Sequence, residues 1–267
     1  MIKQTLAILT SILVASIFTL AGCSKSKPQH GLKVAATPVP HAELLEFVKP
    51  DLKGQGIDLN IIVTEDYNMP NRALADKDVE ANFFQHIPFL EQQITQFHYP
   101  IVSIGPIELE PMGIYSKKIR SLSDLKDGAK IAVPNDPTNE ARALLLLQDH
   151  GVIQLQNSED LSSTILNISS NPKNIKFIEV DAAMLPRSLT DVDAAAINTN
   201  YALEAGLSPL KDAIVLESKD SPYANVIAVR EGDENRPDII ALKKAMTSDK
   251  MREYIEKKYK GAVIPAF

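Results

Sequence analysis

The 267-residue sequence lacks tryptophan, holds one cysteine and is only 6% aromatic. A lone cysteine excludes an internal disulfide and argues against thiol chemistry. So few rings leave no stacking platform for bases. A net charge of −6 with scattered lysines argues against the concentrated basic face that nucleic acid requires. Catalytic signatures are missing too: there is no H-E-x-x-H, no G-x-S-x-G elbow, no phosphate-binding Walker loop and no G-x-G-x-x-G fingerprint. His30, His41, His86, His98 and His150 are dispersed without metal-ligand spacing. The sequence therefore predicts a protein that is not an enzyme, with no catalytic residues, no metal and no cofactor. It also contains no internal repeat and no low-complexity tract.

The N-terminus is informative. Lys3 is followed by an uncharged run from Gln4 to Gly22 that is short, carries Ser and Thr, and ends in small residues. Such a run reads as an export signal rather than a spanning helix. Its end, "LAGC" from Leu20 to Cys23, resembles the lipobox of bacterial lipoproteins, which makes Cys23 the expected lipidation site. Residues 1–22 are then the signal peptide and residues 23–30 a polar tether. Two or more acyl chains give a stable membrane anchor where one would not.

From residue 31 on, short apolar strands alternate with helical spacing, which predicts an α/β protein with parallel sheets and helices on both faces. Pro50 is expected to halt the first helix, and "LSDLKDG" and "SEDLSSTILNI" read as further helices. The strands are too many for one compact sheet, and the chain has two candidate crossings, near Pro111–Ser116 and Glu217–Tyr223. These give a discontinuous first lobe, residues 31–113 plus 222–267, and a second lobe, residues 114–221. A cleft between lobes joined by two crossing strands is the expected site.

One arginine stands out. "NDPTNEARALLLLQ" turns through polar residues into a helix capped by Asp136 or Thr138, with Pro137 in the first turn. Arg142 lies beside four leucines with no acid at helical spacing. The spacing alone fits either a surface arginine, solvated or paired with a distant acid, or a guanidinium whose counter-charge a ligand brings.

Four segments, "ANFFQHIPFLEQQ", "PMGIYSKKIRSLSDLKDGAKIAVPNDPTNEARALLLLQ", "LPRSLTDVDAAAINTNYALEAGL" and "DSPYANVIAVR", resemble in order the NlpA family of methionine-binding lipoproteins, the substrate-binding components of bacterial ABC importers. The similarity runs from about Leu32 to Phe267. It implies a type 2 periplasmic-binding-protein fold, with two α/β lobes joined by two crossing strands. It also implies a lipid-anchored, exported protein that captures an amino acid, foremost L-methionine, for a permease and its ATPase. By the same resemblance Arg142 binds the ligand carboxylate, Asn198 and Asn225 contact its polar head, and Tyr67, Phe84, His86 and Phe89 line the side-chain pocket. A soft thioether suits ring edges. Phe83 and Phe84 are adjacent, so both cannot face one cleft. Glu140, Ala141, Met184 and Phe89 depart from the family pattern and bear on the choice of cargo. A methionine-containing dipeptide as cargo, and a role as a surface adhesin, stay open as alternatives.

Overall fold

The computed structural model describes residues 30–267. The signal segment, Cys23 and the tether up to Gln29 lie outside the described residues. Among the described residues no helix is long and apolar enough to cross a membrane.

In chain order the first half contains β1 (His30–Ala36), α1 (Glu43–Gly54), β2 (Ile57–Val63), α2 (Met69–Ala75), β3 (Ala81–His86), α3 (Ile87–Phe97) and β4 (Ile101–Leu109). There follow β5 (Gly113–Tyr115), β6 (Lys130–Pro134), α4 (Pro137–Asp149), β7 (Gln154–Leu155), β8 (Ile168–Ser170), β9 (Lys176–Val180), α5 (Leu185–Ser188) and β10 (Ala194–Ile197). The chain ends with α6 (Thr199–Glu204), α7 (Pro209–Asp212), β11 (Ala213–Leu216), β12 (Ala224–Arg230), α8 (Pro237–Met246), α9 (Asp249–Tyr259) and β13 (Ile264–Pro265).

These strands form two large sheets. The first has the order β13-β4-β12-β3-β1-β2 and the second β11-β5-β10-β6-β9, while β7 and β8 make a small ribbon. The chain passes from first sheet to second after Leu109 and returns before Ala224. Both sheets are mixed rather than parallel. β1 pairs parallel with β2 and β3, but β12 runs antiparallel to β3 and β4, and β5 antiparallel to β10 and β11. Each antiparallel pair in these two sheets includes a strand that flanks a passage between them. A returning strand arrives without a crossover helix, so the β-α-β rule that forces parallel pairing does not bind it.

Separate cores support the two sheets. Leu32, Val34, Leu44, Leu45, Phe83, Ile227 and Leu242 pack in one, and Ile114, Ile131, Val133, Leu144, Leu147 and Ala196 in another. Leu144 and Leu147 are therefore core residues of the second sheet.

Three local expectations need correction. Pro50 does not end α1, which continues to Gly54. The proline sits in the last turns on an exposed position, where losing one N–H bond is tolerable, and the chain turns away after the C-cap Gln55 at Gly56, with φ +81°. "LSDLKDG" yields only a single 3-10 turn, Leu122–Asp124, closed by a Ser121/Asp124 capping box. "SEDLSSTILNI" likewise holds no α-helix. Its side chains take the backbone N–H groups a helix would need: Asn157 accepts from Glu159, Asp160 from Ser162 and Asn167 from Thr164.

Candidate functional site

A small cavity lies where elements of the two sheets face each other, with about 20 Å³ of free volume, enough for a water molecule. Tyr67, Phe84, His86, Phe89, Arg142, Asn198 and Asn225, all seven residues expected from the sequence, line it. Gln85, Glu110, Asn139, Thr199 and Asn200 complete the lining.

The ring wall is built on β3 and the start of α3. Alternation along β3 sends Phe83 into the first core, edge-on to His41 at 4.6 Å, and leaves Phe84 for the cavity. Phe89 follows one turn into α3, 5.8 Å from Phe84, and Tyr67 lies 5.8 Å and 5.9 Å from the two. His86 is the N-cap of α3: its Nδ1 accepts the Phe89 N–H at 3.1 Å. That bond fixes the tautomer, so Nε2–H donates to Asn139 Oδ1 at 3.2 Å. Burial, then the charge of Arg142, pulls the imidazole pKa down to about 3, which keeps the ring neutral.

The polar wall comes from the starts of α4 and α6. Asp136 is the N-cap of α4 and accepts from the Asn139 backbone N–H at 3.0 Å. Both Asp136 carboxylate oxygens also accept from Asn139 Nδ2, which turns Asn139 Oδ1 outward as a shared acceptor for His86 and Asn198 Nδ2. Asn198 follows β10 directly as the extended N-cap residue of α6. Tyr67 donates across to Asn200 Oδ1 at 2.6 Å. Two buried atoms on this wall have no partner, the acceptor Asn198 Oδ1 and the donor Asn200 Nδ2. Orphaned buried groups are costly unless something satisfies them. Together they offer one acceptor and one donor to a guest.

Arg142 is not an unpaired guanidinium. The acid absent at helical spacing is supplied 75 residues later by Glu217, on the return passage: Nε donates at 3.0 Å and NH2 at 2.5 Å. NH2 also donates to the Glu110 carbonyl at 2.7 Å, and the Tyr223 ring lies 4.4 Å from the guanidinium carbon. Burial alone would depress the arginine, but Glu217 raises it, so the guanidinium stays charged. The two-pronged fork expected for a ligand is thus engaged internally. NH1 alone makes no hydrogen bond within the described residues.

Behind the cavity, His41 Nε2 stands 3.2 Å from carboxylate oxygens of both Glu108 and Glu110. Burial, then the neighbouring Glu108 charge, pushes Glu110 well above the usual carboxylate range. One imidazole and two carboxylates resemble a metal ligand set. Here, however, the Asn225 amide nitrogen lies 2.8, 3.1 and 3.2 Å from the three ligand atoms, a hydrogen-bond donor where a cation would sit. The cluster fits shared protons better than a metal.

Among the departures from the family pattern, only Phe89 lines the cavity. Met184 is exposed. Ala141 is fully buried without lining it, and the Glu140 carboxylate accepts the Ile165 N–H at 2.8 Å. Burial raises Glu140 to about 7. Neither side chain lines the cavity. Sequence reasoning missed Glu110, Asn139, Asn200 and Glu217. Asn139 and Asn200 each lie in a quoted polar turn, two or three residues from a chosen one. Glu217 depends on tertiary contact and left no local signal.

Comparison with known proteins agrees with this layout. Residues 32–267 match the family model described as NlpA lipoprotein. The chain is 44% identical over 266 residues to the methionine-binding lipoprotein MetQ of Bacillus subtilis, covering 96% of this chain and 97% of the relative. It is 40% identical to the D-methionine-binding lipoprotein MetQ of Escherichia coli K12, covering 92% of each. A nutrient-binding protein from Burkholderia cenocepacia, solved bound to methionine, superposes with a TM-score of 0.86 at 50% identity, covering 88% of this chain and 100% of that one. The architecture is the type 2 periplasmic-binding-protein fold. The chain belongs to the NlpA lipoprotein family.

Proposed function

We propose that the protein is an exported, lipid-anchored binding protein that closes on one amino acid, foremost methionine, and delivers it to an ABC importer. Cys23 carries the lipid, and residues 1–22 are removed. The two lobes are residues 31–113 with 222–267, and residues 114–221, hinged at the two passages. The observation that carries this reading is the three-part chemistry of a single cavity: a guanidinium, buried acceptors and a wall of rings. Arg142 NH1 and Asn200 Nδ2 receive the carboxylate. Asn198 Oδ1, with Glu110 behind it, receives the ammonium. Tyr67, Phe84, His86 and Phe89 hold the thioether, and Asn225 sets the Glu108 and Glu110 carboxylates in place. The relatives named for methionine, and the neighbour bound to it, support the choice of cargo.

Burial of a Met side chain contributes roughly 1.5–3 kcal/mol. A charge-assisted hydrogen bond contributes about as much, so both ends are needed. Titration calorimetry with L-methionine, D-methionine, the other standard amino acids and a methionine-containing dipeptide tests the reading. Heat is expected from methionine. Silence there, with tight binding of another compound, would overturn the assignment. Native mass spectrometry of gently purified protein should also find a bound mass of one amino acid.

A further inference from the structure

Arg142 and Glu217 have opposite charges, and both are buried or nearly so, with side-chain exposures of 3% and 12%. Glu217 occupies Nε and NH2, the Glu110 carbonyl takes the second bond from NH2, and Tyr223 covers the face. The cation of the cavity is therefore already neutralised by the protein. Behind it stand the acid side chains of Glu108 and Glu110, packed against His41. A guest bearing only a carboxylate would bring a negative charge into a desolvated space with no uncompensated positive charge to meet it. A zwitterion brings none in net. In a low-dielectric site that difference outweighs a single hydrogen bond.

Resting on the proposed amino-acid reading, we propose that Glu217 is a specificity-determining positioning residue, which neutralises Arg142 and leaves it only NH1 to offer, so that the cavity admits zwitterions and rejects simple monocarboxylates. Specificity here arises from a built-in repulsive element. Without Glu217, the bare guanidinium would welcome any anion of the right length.

Glu217 also ties the two passages together. It accepts the Met112 N–H at 3.1 Å, and its own N–H donates to the Met112 carbonyl at 2.8 Å. A purely structural role for Glu217 is thus the rival explanation, and the test separates the two. Affinities for methionine and for its deaminated analogue, 4-(methylsulfanyl)butanoate, are measured by calorimetry in the wild-type protein and in Glu217→Gln. Glutamine keeps the size and an acceptor oxygen but not the charge. The affinity of the butanoate relative to methionine should rise tenfold or more. A ratio within threefold of wild type, with both affinities unchanged or falling in parallel, overturns the proposal. Should Glu217→Gln fail to fold, Glu217→Ser provides the same ratio, which a uniform loss of affinity does not move. A wild-type protein that binds no amino acid sinks the underlying functional reading. A wild-type protein that binds methionine while the ratio stays fixed sinks only the role of Glu217.

Discussion

The cavity has two walls of different construction. The ring wall is mostly local: Phe84, His86 and Phe89 lie within six residues of one another, on a strand that runs directly into a helix. Its geometry follows from alternation and one N-cap. The polar wall is assembled from far apart. Arg142, Asn198, Asn200 and Glu217 come from two helices and a passage, and Arg142 is held by an acid 75 residues away. The contrast shows that a hydrophobic pocket can be specified by a short sequence, whereas charge neutrality inside a protein is a property of the whole fold. Side chains at the ring wall need only be apolar and about the right size. At the polar wall each atom needs a partner.

Breaking the polar wall should have the largest effect. Arg142→Ala removes the only guanidinium of the cavity and leaves Glu217 without its counter-charge. Loss of about 1.5–3 kcal/mol predicts a fall in methionine affinity of roughly 10- to 150-fold. Calorimetry reads it, and an unchanged affinity would remove Arg142 from the site. The link between walls is weaker. Tyr67→Phe deletes the hydroxyl that donates to Asn200 while keeping the ring. One neutral hydrogen bond of about 0.5–1.5 kcal/mol predicts a loss of roughly two- to tenfold. A loss as large as that of Arg142→Ala would mean the ring itself had moved.

The last comparison is in pH dependence, where His86 on the ring wall and Glu140, which lies off the cavity, oppose each other. His86, held near pKa 3 against an ordinary 6.5, stays unprotonated in the fold while the unfolded chain takes up a proton below 6.5. Stability is therefore lost as pH falls from 6.5 toward 3. Glu140, raised to about 7, keeps a proton in the fold that the unfolded chain has already shed above its ordinary 4.5. Its contribution is present at low pH and is lost as pH rises through 7. Urea unfolding at pH 4, 5.5 and 7.5 should show Glu140→Gln gaining on wild type as pH rises. For His86→Gln the difference from wild type should shift in its favour as pH falls. Parallel curves for either variant would contradict the assigned cause.

Much of this could be read in the sequence, for reasons visible residue by residue. The strands β1, β2, β6, β9 and β10 each carry an apolar run bounded by turn residues, which is the pattern that predicts a strand. The seven lining residues were legible through family resemblance: spacing alone left Arg142 and the two asparagines ambiguous. Two kinds of feature were not legible. The helix foreseen across 158–168 was lost to side-chain capture of backbone N–H groups, a competition that apolar periodicity does not register. The pairing of Arg142 with Glu217 is set by the return of the chain between sheets, which no window of neighbouring residues contains.

The described start of the chain, in β1, and its last strand, β13, belong to the same sheet. If Cys23 carries the lipid as proposed, six residues join it to His30, a leash of at most about 25 Å. The half of the molecule built on the first sheet is then moored close to the bilayer. If the lobes divide as proposed, residues 114–221 are the jaw, joined covalently through the two passages and latched to the first half by the Tyr67–Asn200 and His86–Asn139 hydrogen bonds. If the proposed importer lies in that same membrane, it would meet a carrier on a short mooring, and capture and hand-over would be confined to one narrow layer rather than left to free diffusion.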